Sequence, residues 1–307
     1  MTEQDKEIKL VVVGSIGLDT IETPAERRED VLGGSVSYAC AAASFFTTAG
    51  MVGVVGDDFP AAHRRVYERF GIDLAGLQQV PGRTFRWSGV YETDMNTRRT
   101  LSTELNVFAD FSPDLPAHYR GSPFYFLANI SPELQLHVLA QASNPLFVAA
   151  DTMDLWIETA RTPLLELIAK VNMLTLNDSE ARQLTGEQNL VRAAERLLEL
   201  GPDYIAVKKG EHGCILFSAA GICVIPAFPL AAFSDPTGAG DTFAGGFMGC
   251  LAREGAVRDA SVRRALAYGS VVASFGVQAF GLDRLLALEP DEIEQRLDAF
   301  RRMTSIA

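Results

Sequence analysis

The segment from residue 235 to residue 246, DPTGAGDTFAGG, holds the residue types and spacing best suited to chemistry. Beyond Asp241 its apolar residues recur four positions apart, which predicts a buried helix that begins near Gly238. Glycines such as Gly238 and Gly240 at a helix N-terminus let backbone N–H groups approach an anion, which the helix dipole also attracts. The sequence therefore predicts an anion site at this helix end.

Asp241 stands in the first turn of the same predicted helix. A carboxylate there repels a phosphate but is well placed to take a proton from a hydroxyl that attacks one, which is general-base work in phosphoryl transfer. The alternative is that Asp241 only favours the helix dipole and that the glycines serve close packing. Two other glycine-rich motifs are excluded. Phe243 stands where a dinucleotide fingerprint needs glycine, and none of the lysines follows a glycine as a P-loop requires.

Short apolar runs alternate with amphipathic stretches along most of the chain. Strands are predicted at residues 10–13, 51–55, 124–128, 147–150, 172–176 and 204–207, and helices at 60–70, 132–142, 162–170, 191–200, 257–274 and 290–303. This alternation implies an α/β fold with a doubly wound, mostly parallel sheet and helices on both faces. Ligands of such sheets bind beyond the carboxyl ends of the strands. The polar residues expected there are Asp19, Asn129, Asp151 and Asn177.

Residues 83–108 interrupt the alternation. They show two polar-alternating runs around a turn at 93–97, which predicts a β-hairpin that acts as a lid or a dimer flap, with a plain edge hairpin as the alternative. We expect one domain over residues 1–307, with a lid formed mainly by 83–108 and a contribution from 18–32. Residues 31–56 carry no charged side chain, but their glycines and hydroxyl residues predict a loop, a buried helix and a buried strand rather than a membrane span.

Composition and charge exclude several classes of protein. The 48% hydrophobic and 21% charged content is ordinary for a globular chain. With 27 Lys and Arg against 39 Asp and Glu, the net charge of −12 disfavours nucleic acid and anionic membranes as partners. The four cysteines show no CxxC spacing, and the N-terminus lacks the features of a signal peptide. We expect a cytoplasmic enzyme with reduced thiols that acts on a small molecule.

Two motifs about 200 positions apart give the chain a family resemblance. DPTGAGDTFAGGF resembles the C-terminal signature of the ribokinase-like (PfkB) carbohydrate kinases, and LGGSVSYACAAAS, from Leu32, resembles their N-terminal signature. GSIGLD, VGDD, LNDSEARQLTG and VKKGEHG lie between the chain ends in the family's order. The resemblance covers nearly the whole chain and implies a ribokinase-like fold.

The resemblance implies ATP-dependent phosphorylation of a hydroxymethyl group on a sugar or sugar-like acceptor, or on a nucleoside. It makes Asp241 the base, and the backbone of Gly238, Ala239 and Gly240 the group that stabilises the transferring phosphoryl. Asn177 and Glu180 would order Mg²⁺ and its waters near the phosphates. Their spacing fits a helix capping box equally well.

The same resemblance places residues around the nucleotide. Lys208, Gly210 and Gly213 match the family's nucleotide-side loop, although a tight turn between two strands explains the glycines too, and the lysine departs from the small or apolar residues often found there. Thr237 would lie at the ATP site. Residues 276–281, GVQAFG, match the loop that walls the adenine and, in many members, binds a monovalent cation such as K⁺ with Asp235 and Thr237.

On the acceptor side, Asp19 matches the family's sugar-binding aspartate, and Gly33 and Gly34 match its close-packing glycines. Asn129 and Tyr38 are also expected at the acceptor. Three departures stand out: Gly17 and Tyr38 replace asparagines, and Ile130 replaces a glutamate. Because a site built for ribose would lack these polar contacts, ribose itself is a poor candidate.

The departures leave room for a less polar acceptor. Tyr38, Trp87 and Phe108 are candidates for an apolar wall, although aromatic side chains are more often plain core. Arg98, with its neighbour Arg99, stands near the tip of the lid, where either could contact an acidic or phosphorylated acceptor or, as is usual for exposed hairpin arginines, only solvent. A vitamin-type kinase, a non-catalytic binding member of the fold, and a homodimer through the lid remain open alternatives.

Overall fold

A nine-stranded sheet, in the order β13-β12-β11-β10-β9-β8-β1-β4-β5, is the centre of the molecule. The computed structural model describes residues 7–95 and 97–305. The sheet strands are β1 (Leu10–Val13), β4 (Ala49–Val55), β5 (Asp73–Gln79), β8 (Phe124–Leu127), β9 (Phe147–Asp151), β10 (Met173–Asn177), β11 (Tyr204–Lys208), β12 (Cys214–Ser218) and β13 (Gly221–Ile225). The strands from β11 to β5 pair in parallel, and β12 and β13 add an antiparallel edge. The predicted doubly wound, mostly parallel sheet is confirmed.

Helices cover both faces of this sheet. They are α1 (Ser35–Ala43), α2 (Ala61–Arg69), α3 (Pro132–Gln141), α4 (Asp154–Thr159), α5 (Arg161–Ile168), α6 (Asp178–Thr185), α7 (Leu190–Leu198), α8 (Ala239–Glu254), α9 (Asp259–Gly276), α10 (Asp283–Leu286) and α11 (Pro290–Thr304). Alternate residues of β1 face opposite layers. Leu10 and Val12 pack with α1, α8 and α9, whereas Val11 and Val13 pack with α3 and α5. This burial on both faces explains why the strand reads as a continuous apolar run.

A separate four-stranded sheet, in the order β3-β2-β6-β7, stands beside the main one. Its strands are β2 (Gly17–Glu22), β3 (Arg27–Gly33), β6 (Phe85–Tyr91) and β7 (Arg98–Glu104). The hairpin expected within residues 83–108 is the β6–β7 pair, and β2 joins it in parallel through β6. We call these four strands the lid sheet. Residues 1–6 and Asn96, which belong to the N-terminus and the turn interpreted above, lie outside the described residues.

The uncharged stretch at residues 31–56 forms the end of β3, the helix α1 and the strand β4. All nine residues of α1 are buried, and no helix among the described residues is long and apolar enough to cross a membrane. The four cysteines are free thiols, and three of them are buried. The stretch lacks charge because it lies within the core.

Candidate active site

The N-terminus of α8 is shaped by Gly238, which precedes the helix with a φ of 71°, in the left-handed region that favours glycine. A Cβ at this residue would stand 2.3 Å from Tyr38 Cδ2. The amide of Ala239 donates to Pro236 O at 3.1 Å. The N–H group of Ala239, which was predicted to bind an anion together with those of Gly238 and Gly240, is therefore already hydrogen-bonded within the turn. The Gly240 amide that follows has no main-chain acceptor within the helix, as is usual in a first turn.

Asp241 lies in that first turn, among charged side chains from other elements. Burial, and then the negative charge of Asp151, raise the pKa of the Asp241 carboxyl to about 7, whereas Lys208 and Arg98 act to lower it. A general base is most effective when its pKa lies near the working pH. The environment of this carboxyl therefore suits proton abstraction.

An ion pair joins the carboxyl ends of β9 and β11. Lys208 Nζ donates to Asp151 Oδ1 at 2.9 Å and to Oδ2 at 2.7 Å. Asn177 ends the strand between them and pairs in register with Lys208. Asp151 and Asn177 thus lie at the strand ends expected from the sequence. Asp19 does not, because it lies inside β2 of the lid sheet rather than beyond a strand of the main sheet.

Asn177 and Glu180 form the capping box of α6. Asn177 Oδ1 accepts the Glu180 amide at 2.8 Å, and Glu180 Oε2 accepts the Asn177 amide at 2.6 Å. Burial raises the pKa of Glu180 to about 7, with Lys208 opposing the shift. Within residues 7–95 and 97–305, no group of three or more His, Cys, Asp or Glu side chains is arranged to hold a metal ion. A Mg²⁺ ion bound here would need oxygens from phosphate and water besides these two residues.

A cavity of about 410 Å³ opens beside the first turn of α8. Its mainly apolar wall comes from residues 227–230, Phe233, and the α9 residues Ser270, Ala273 and Ser274, with Val277 just beyond, while Lys208, Gly210, Gly213 and Gly240 line it as well. Gly210 and Gly213 have φ values of 54° and 87°, as in a tight turn, and both line the cavity, so their role beside a nucleotide stays a prediction. The volume and lining fit the base and sugar of a nucleotide.

Asp19 lies in β2 with its carboxyl group against Gly33. It is 4% exposed, and a Cβ on Gly33 would stand 2.0 Å from its Oδ2, so the carboxyl group fills the space that a side chain at Gly33 would take. Burial, and then Asp235 and Asp241, raise the pKa of Asp19 to about 8, although Arg98 acts to lower it. Gly34 begins α1 with a φ of 91°. The predicted acceptor residues of the N-terminal signature therefore lie together.

The lid sheet faces the same space with an aromatic and cationic surface. The guanidinium of Arg98 lies 5.3 Å from the centre of the Trp87 ring, which covers Gly89. Thr237 Oγ1 donates to the Tyr91 hydroxyl at 3.1 Å, which ties the lid sheet to the glycine turn before α8. This contact joins residues that are 146 positions apart.

The three rings expected to form one wall lie in three separate clusters. Tyr38 packs in the core below Gly238, and Trp87 packs with Ile21 and Tyr91 in the lid sheet. Phe108 lies between Phe85 and Phe111, with ring centres 5.6 and 5.7 Å away. The three rings thus pack in separate hydrophobic clusters, and a single apolar wall formed by all of them stays a prediction.

Asn129 has its amide group occupied by neighbouring residues. Trp156 Nε1 donates to Asn129 Oδ1 at 2.8 Å, and Asn129 Nδ2 lies 3.1 Å from Met153 Sδ.

The carboxyl group of Asp235 accepts hydrogen bonds from two backbone amides. Its Oδ1 accepts the Thr237 amide at 2.8 Å and its Oδ2 accepts the Gly281 amide at 3.3 Å, which ties the glycine turn to the 276–281 loop.

Sequence reasoning missed several residues of the site. Asp151 was singled out by its position after a strand, but no role followed from that position. Met95, at the hairpin turn, lines the cavity beside α8, and Phe85 lies over Gly17, where a Cβ would stand 2.8 Å from the ring. The absence of a side chain at Gly17 was visible in the sequence, whereas the ring that fills this space was not.

Comparisons with known proteins show the family of the chain. The family model described as pfkB family carbohydrate kinase matches residues 8–286. The chain belongs to this family. It is therefore a kinase, a phosphotransferase with an alcohol group as acceptor.

Relatives and solved structures extend over most of the chain. Cytidine kinase of Thermococcus kodakarensis is 28% identical over 253 residues, covering 80% of this chain and 89% of its own. Aminoimidazole riboside kinase of Salmonella typhimurium is 26% identical and covers 95% of both chains. The crystal structure of Methanocaldococcus jannaschii nucleoside kinase matches with a TM-score of 0.77 at 21% identity, covering 96% of this chain and 99% of its own. A putative ribokinase II from E. coli, in complex with ATP and Mg²⁺, matches with a TM-score of 0.78 at 18% identity, with coverage of 95% and 99%.

Proposed function

We propose that this kinase transfers the γ-phosphoryl group of ATP to a hydroxymethyl group of a sugar or nucleoside, with Asp241 as the general base. The observation that carries the proposal is the position of Asp241. Its carboxyl group, with a pKa of about 7, lies in the first turn of α8, next to Gly240 of the cavity wall, and near enough to Asp19 to raise the pKa of that carboxyl group.

The nucleotide side supplies binding and charge. The apolar cavity would take the base, while Gly210, Gly213 and Gly240 let the backbone approach the phosphates. Thr237, tied to Tyr91, would lie beside them. Asn177 and Glu180 would hold Mg²⁺ through water, and the bound ion would offset negative charge on the phosphates.

The acceptor side orients the hydroxyl that reacts. Asp19, packed against Gly33, would accept hydrogen bonds from two acceptor hydroxyls. Asp241 would then take the proton of the hydroxymethyl group as its oxygen attacks the phosphoryl group. Arg98, on the inner face of the lid sheet, would offset the charge of both carboxylates.

A nucleoside is the acceptor favoured by one specific feature. The Phe85 ring closes the space over Gly17, two residues from Asp19, and thereby offers an aromatic surface in place of a polar one. Such a surface suits a flat base better than a sugar hydroxyl. The names of the cytidine and aminoimidazole riboside kinases support the same choice.

A panel of acceptors tests the function directly. ADP release would be measured with ATP and Mg²⁺ on cytidine, adenosine, inosine, ribose, ribose 1-phosphate, fructose and pyridoxal, with EDTA added to a parallel set. We expect turnover on a nucleoside and none with EDTA. Turnover on pyridoxal alone would favour a vitamin-type kinase. If no acceptor is turned over but ATP still raises the Tm, a binding role would be favoured.

Three further expectations belong to this proposal. Replacing K⁺ with a large organic cation would lower turnover if a monovalent cation binds near Asp235 and Thr237.

A dimer through the lid sheet would appear by light scattering and would be lost on changing Leu101, which is 51% exposed on β7, to lysine. A cytoplasmic location, away from nucleic acid and membranes, suits an ATP-dependent enzyme with four free thiols.

A further inference from the structure

Lys208 places a positive charge beside the proposed anion site. Its Nζ lies 3.5 Å from the position that a Cβ on Gly240 would take, and Lys208 and Gly240 line the same end of the nucleotide cavity. The side chain is 20% exposed. The ammonium group therefore adjoins the backbone that would meet the phosphates.

The partner of Lys208 holds it in this position. The side chain of Asp151 is 5% exposed, and both of its carboxylate oxygens accept hydrogen bonds from Lys208 Nζ. Its Oδ1 also accepts a hydrogen bond from the Thr152 amide. An ammonium group has three N–H donors, and these two contacts use at most two of them. At least one donor remains for a ligand in the cavity.

Stability alone gives little reason for this pair. Removing two charges from water costs free energy, and a buried ion pair is often no more stable than apolar side chains of similar volume. The surrounding charge does give a reason. Asp151, Glu180 and Asp241 all act electrostatically on Lys208, so without this lysine a phosphoryl group would approach three carboxyl groups.

We propose that Lys208 is a catalytic residue that contacts the transferring phosphoryl group, and that Asp151 is a positioning residue that holds its ammonium group there. This inference rests on the proposed kinase function and adds a side-chain cation to its backbone anion site. Lysine is a well-suited point charge for this work, because each of its N–H donors can follow a phosphoryl oxygen as the bond to the leaving group lengthens.

Nucleotide affinities distinguish a direct contact between Lys208 and the γ-phosphoryl group from a nonspecific attraction between its positive charge and any nucleotide. Affinities for ADP and for the non-hydrolysable β,γ-imido analogue of ATP would be measured by calorimetry with Mg²⁺ and without acceptor. In Lys208→Met the affinity for the analogue should fall about 10- to 100-fold, the range for a hydrogen bond between charged groups, whereas the affinity for ADP should change by less than about threefold. Lys209→Met is the matched control, because this neighbour does not line the cavity, and it should change neither affinity.

Asp151 is tested by a second pair of variants. Asp151→Asn should lower kcat with little change in ADP affinity, because the ammonium group loses its anchor. The double variant Lys208→Met with Asp151→Asn leaves neither member of the pair as an unpaired charge, so it should fold, and it should be as inactive as Lys208→Met alone. If the lysine served only to neutralise Asp151, the double variant would recover the affinity for the analogue and the kcat of the wild type, which would overturn the inference.

The same measurements distinguish the two proposals. A wild-type protein that binds neither nucleotide and releases no ADP would overturn the kinase function together with this inference. A wild-type protein that phosphorylates an acceptor, with Lys208→Met behaving like Lys209→Met, would overturn the inference alone.

Discussion

Replacing Asp241 with asparagine changes the proposed base with little change in shape. The amide cannot take a proton, so kcat should fall by about 10²- to 10⁴-fold, the usual contribution of a general base. ATP affinity should be unchanged or higher, because a negative charge near the phosphates is removed. Steady-state kinetics and calorimetry measure both quantities. Asp110→Asn, at an exposed carboxylate, is the control, and wild-type kcat in Asp241→Asn would contradict the assignment.

The pH dependence of kcat/KM for the acceptor follows from the same carboxyl group. Its pKa of about 7 in the free enzyme means that the base is protonated, and inactive, in acid. We expect kcat/KM to rise with pH through 7 and to level off only above about 8, because the carboxylate of Asp19, whose pKa is about 8, must also be free to accept the acceptor's hydroxyls. Because Lys208 acts to lower the pKa of Asp241, Lys208→Met should move the acidic limb to higher pH. A profile that stays flat from pH 5 to 8 would exclude Asp241 as the group that titrates.

At the scale of elements, α8 has a left-handed glycine at each end, and only one adjoins the site. Gly238 has a φ of 71° and a Tyr38 ring against it, whereas Gly255 has a φ of 66° and nothing within 4 Å of a Cβ. Alanine at either position should cost about 1–2 kcal/mol of stability from backbone strain, and at Gly238 the clash with the buried Tyr38 ring should add to this cost. Only Gly238→Ala should also reduce kcat and ATP affinity, because the turn must shift away from the ring. Chemical denaturation and kinetics on both variants compare the two effects, and equal activities would contradict the role of the turn.

The β6–β7 hairpin can be shortened without breaking its pairing with β2. Val90 pairs with Arg99 across the hairpin, so an Asn-Gly turn between them replaces residues 91–98. This change removes Tyr91, Met95 and Arg98 from the site. The acceptor KM should rise about tenfold, and ATP hydrolysis without acceptor should increase, because water reaches the phosphoryl group. Arg99→Ala, next to Arg98 but on the other face of β7, is the control. Unchanged kinetics in the shortened protein would reduce the hairpin to scaffolding.

The elements differ in how far the sequence predicts them. The strands buried on both faces, such as β1, were predicted within two residues, because a short continuous apolar run that ends at glycine or asparagine is typical of a buried parallel strand. β5, with the sequence DLAGLQQ, was missed because an edge strand exposed on one side carries a mixed pattern. The lid hairpin was predicted by its alternation, but its pairing with β2 depends on a contact between distant segments.

The same distinction holds for the site. Local motifs predicted the turn at Gly238 and the capping box of α6, because each depends on neighbours a few residues apart. The contact between Asp151 and Lys208 joins residues 57 positions apart, across a strand that lies between them. This contact depends on the order of the strands in the sheet, which the composition of the chain and the spacing of its motifs do not determine. Side chains that act through such contacts become visible only in the folded chain.

At the scale of the whole molecule, the acidic site should make the free protein less stable as the pH rises. The pKa of Asp19 is about 8 in the folded state against 3.8 for an ordinary aspartate, and those of Asp241 and Glu180 are about 7. Between pH 4 and 8 the folded state therefore holds protons that the unfolded chain releases, so the free energy of unfolding falls with increasing pH in this window.

A series of Tm measurements on the ligand-free protein from pH 5 to 9 tests this expectation. The Tm should fall across the series, and Asp19→Asn should flatten the fall and raise the Tm at pH 8, because a neutral amide avoids the cost of ionising a buried carboxyl group. Asp110→Asn, at an exposed position, should follow the wild-type curve. The stabilised Asp19→Asn protein should at the same time bind its acceptor less tightly, because the amide group cannot accept two hydroxyl hydrogen bonds as the carboxylate does. If Asp19→Asn shows the wild-type slope of Tm against pH, Asp19 is ionised in the free protein. A flattened slope together with weaker acceptor binding would show that Asp19 lowers the stability of the fold but is needed to bind the acceptor.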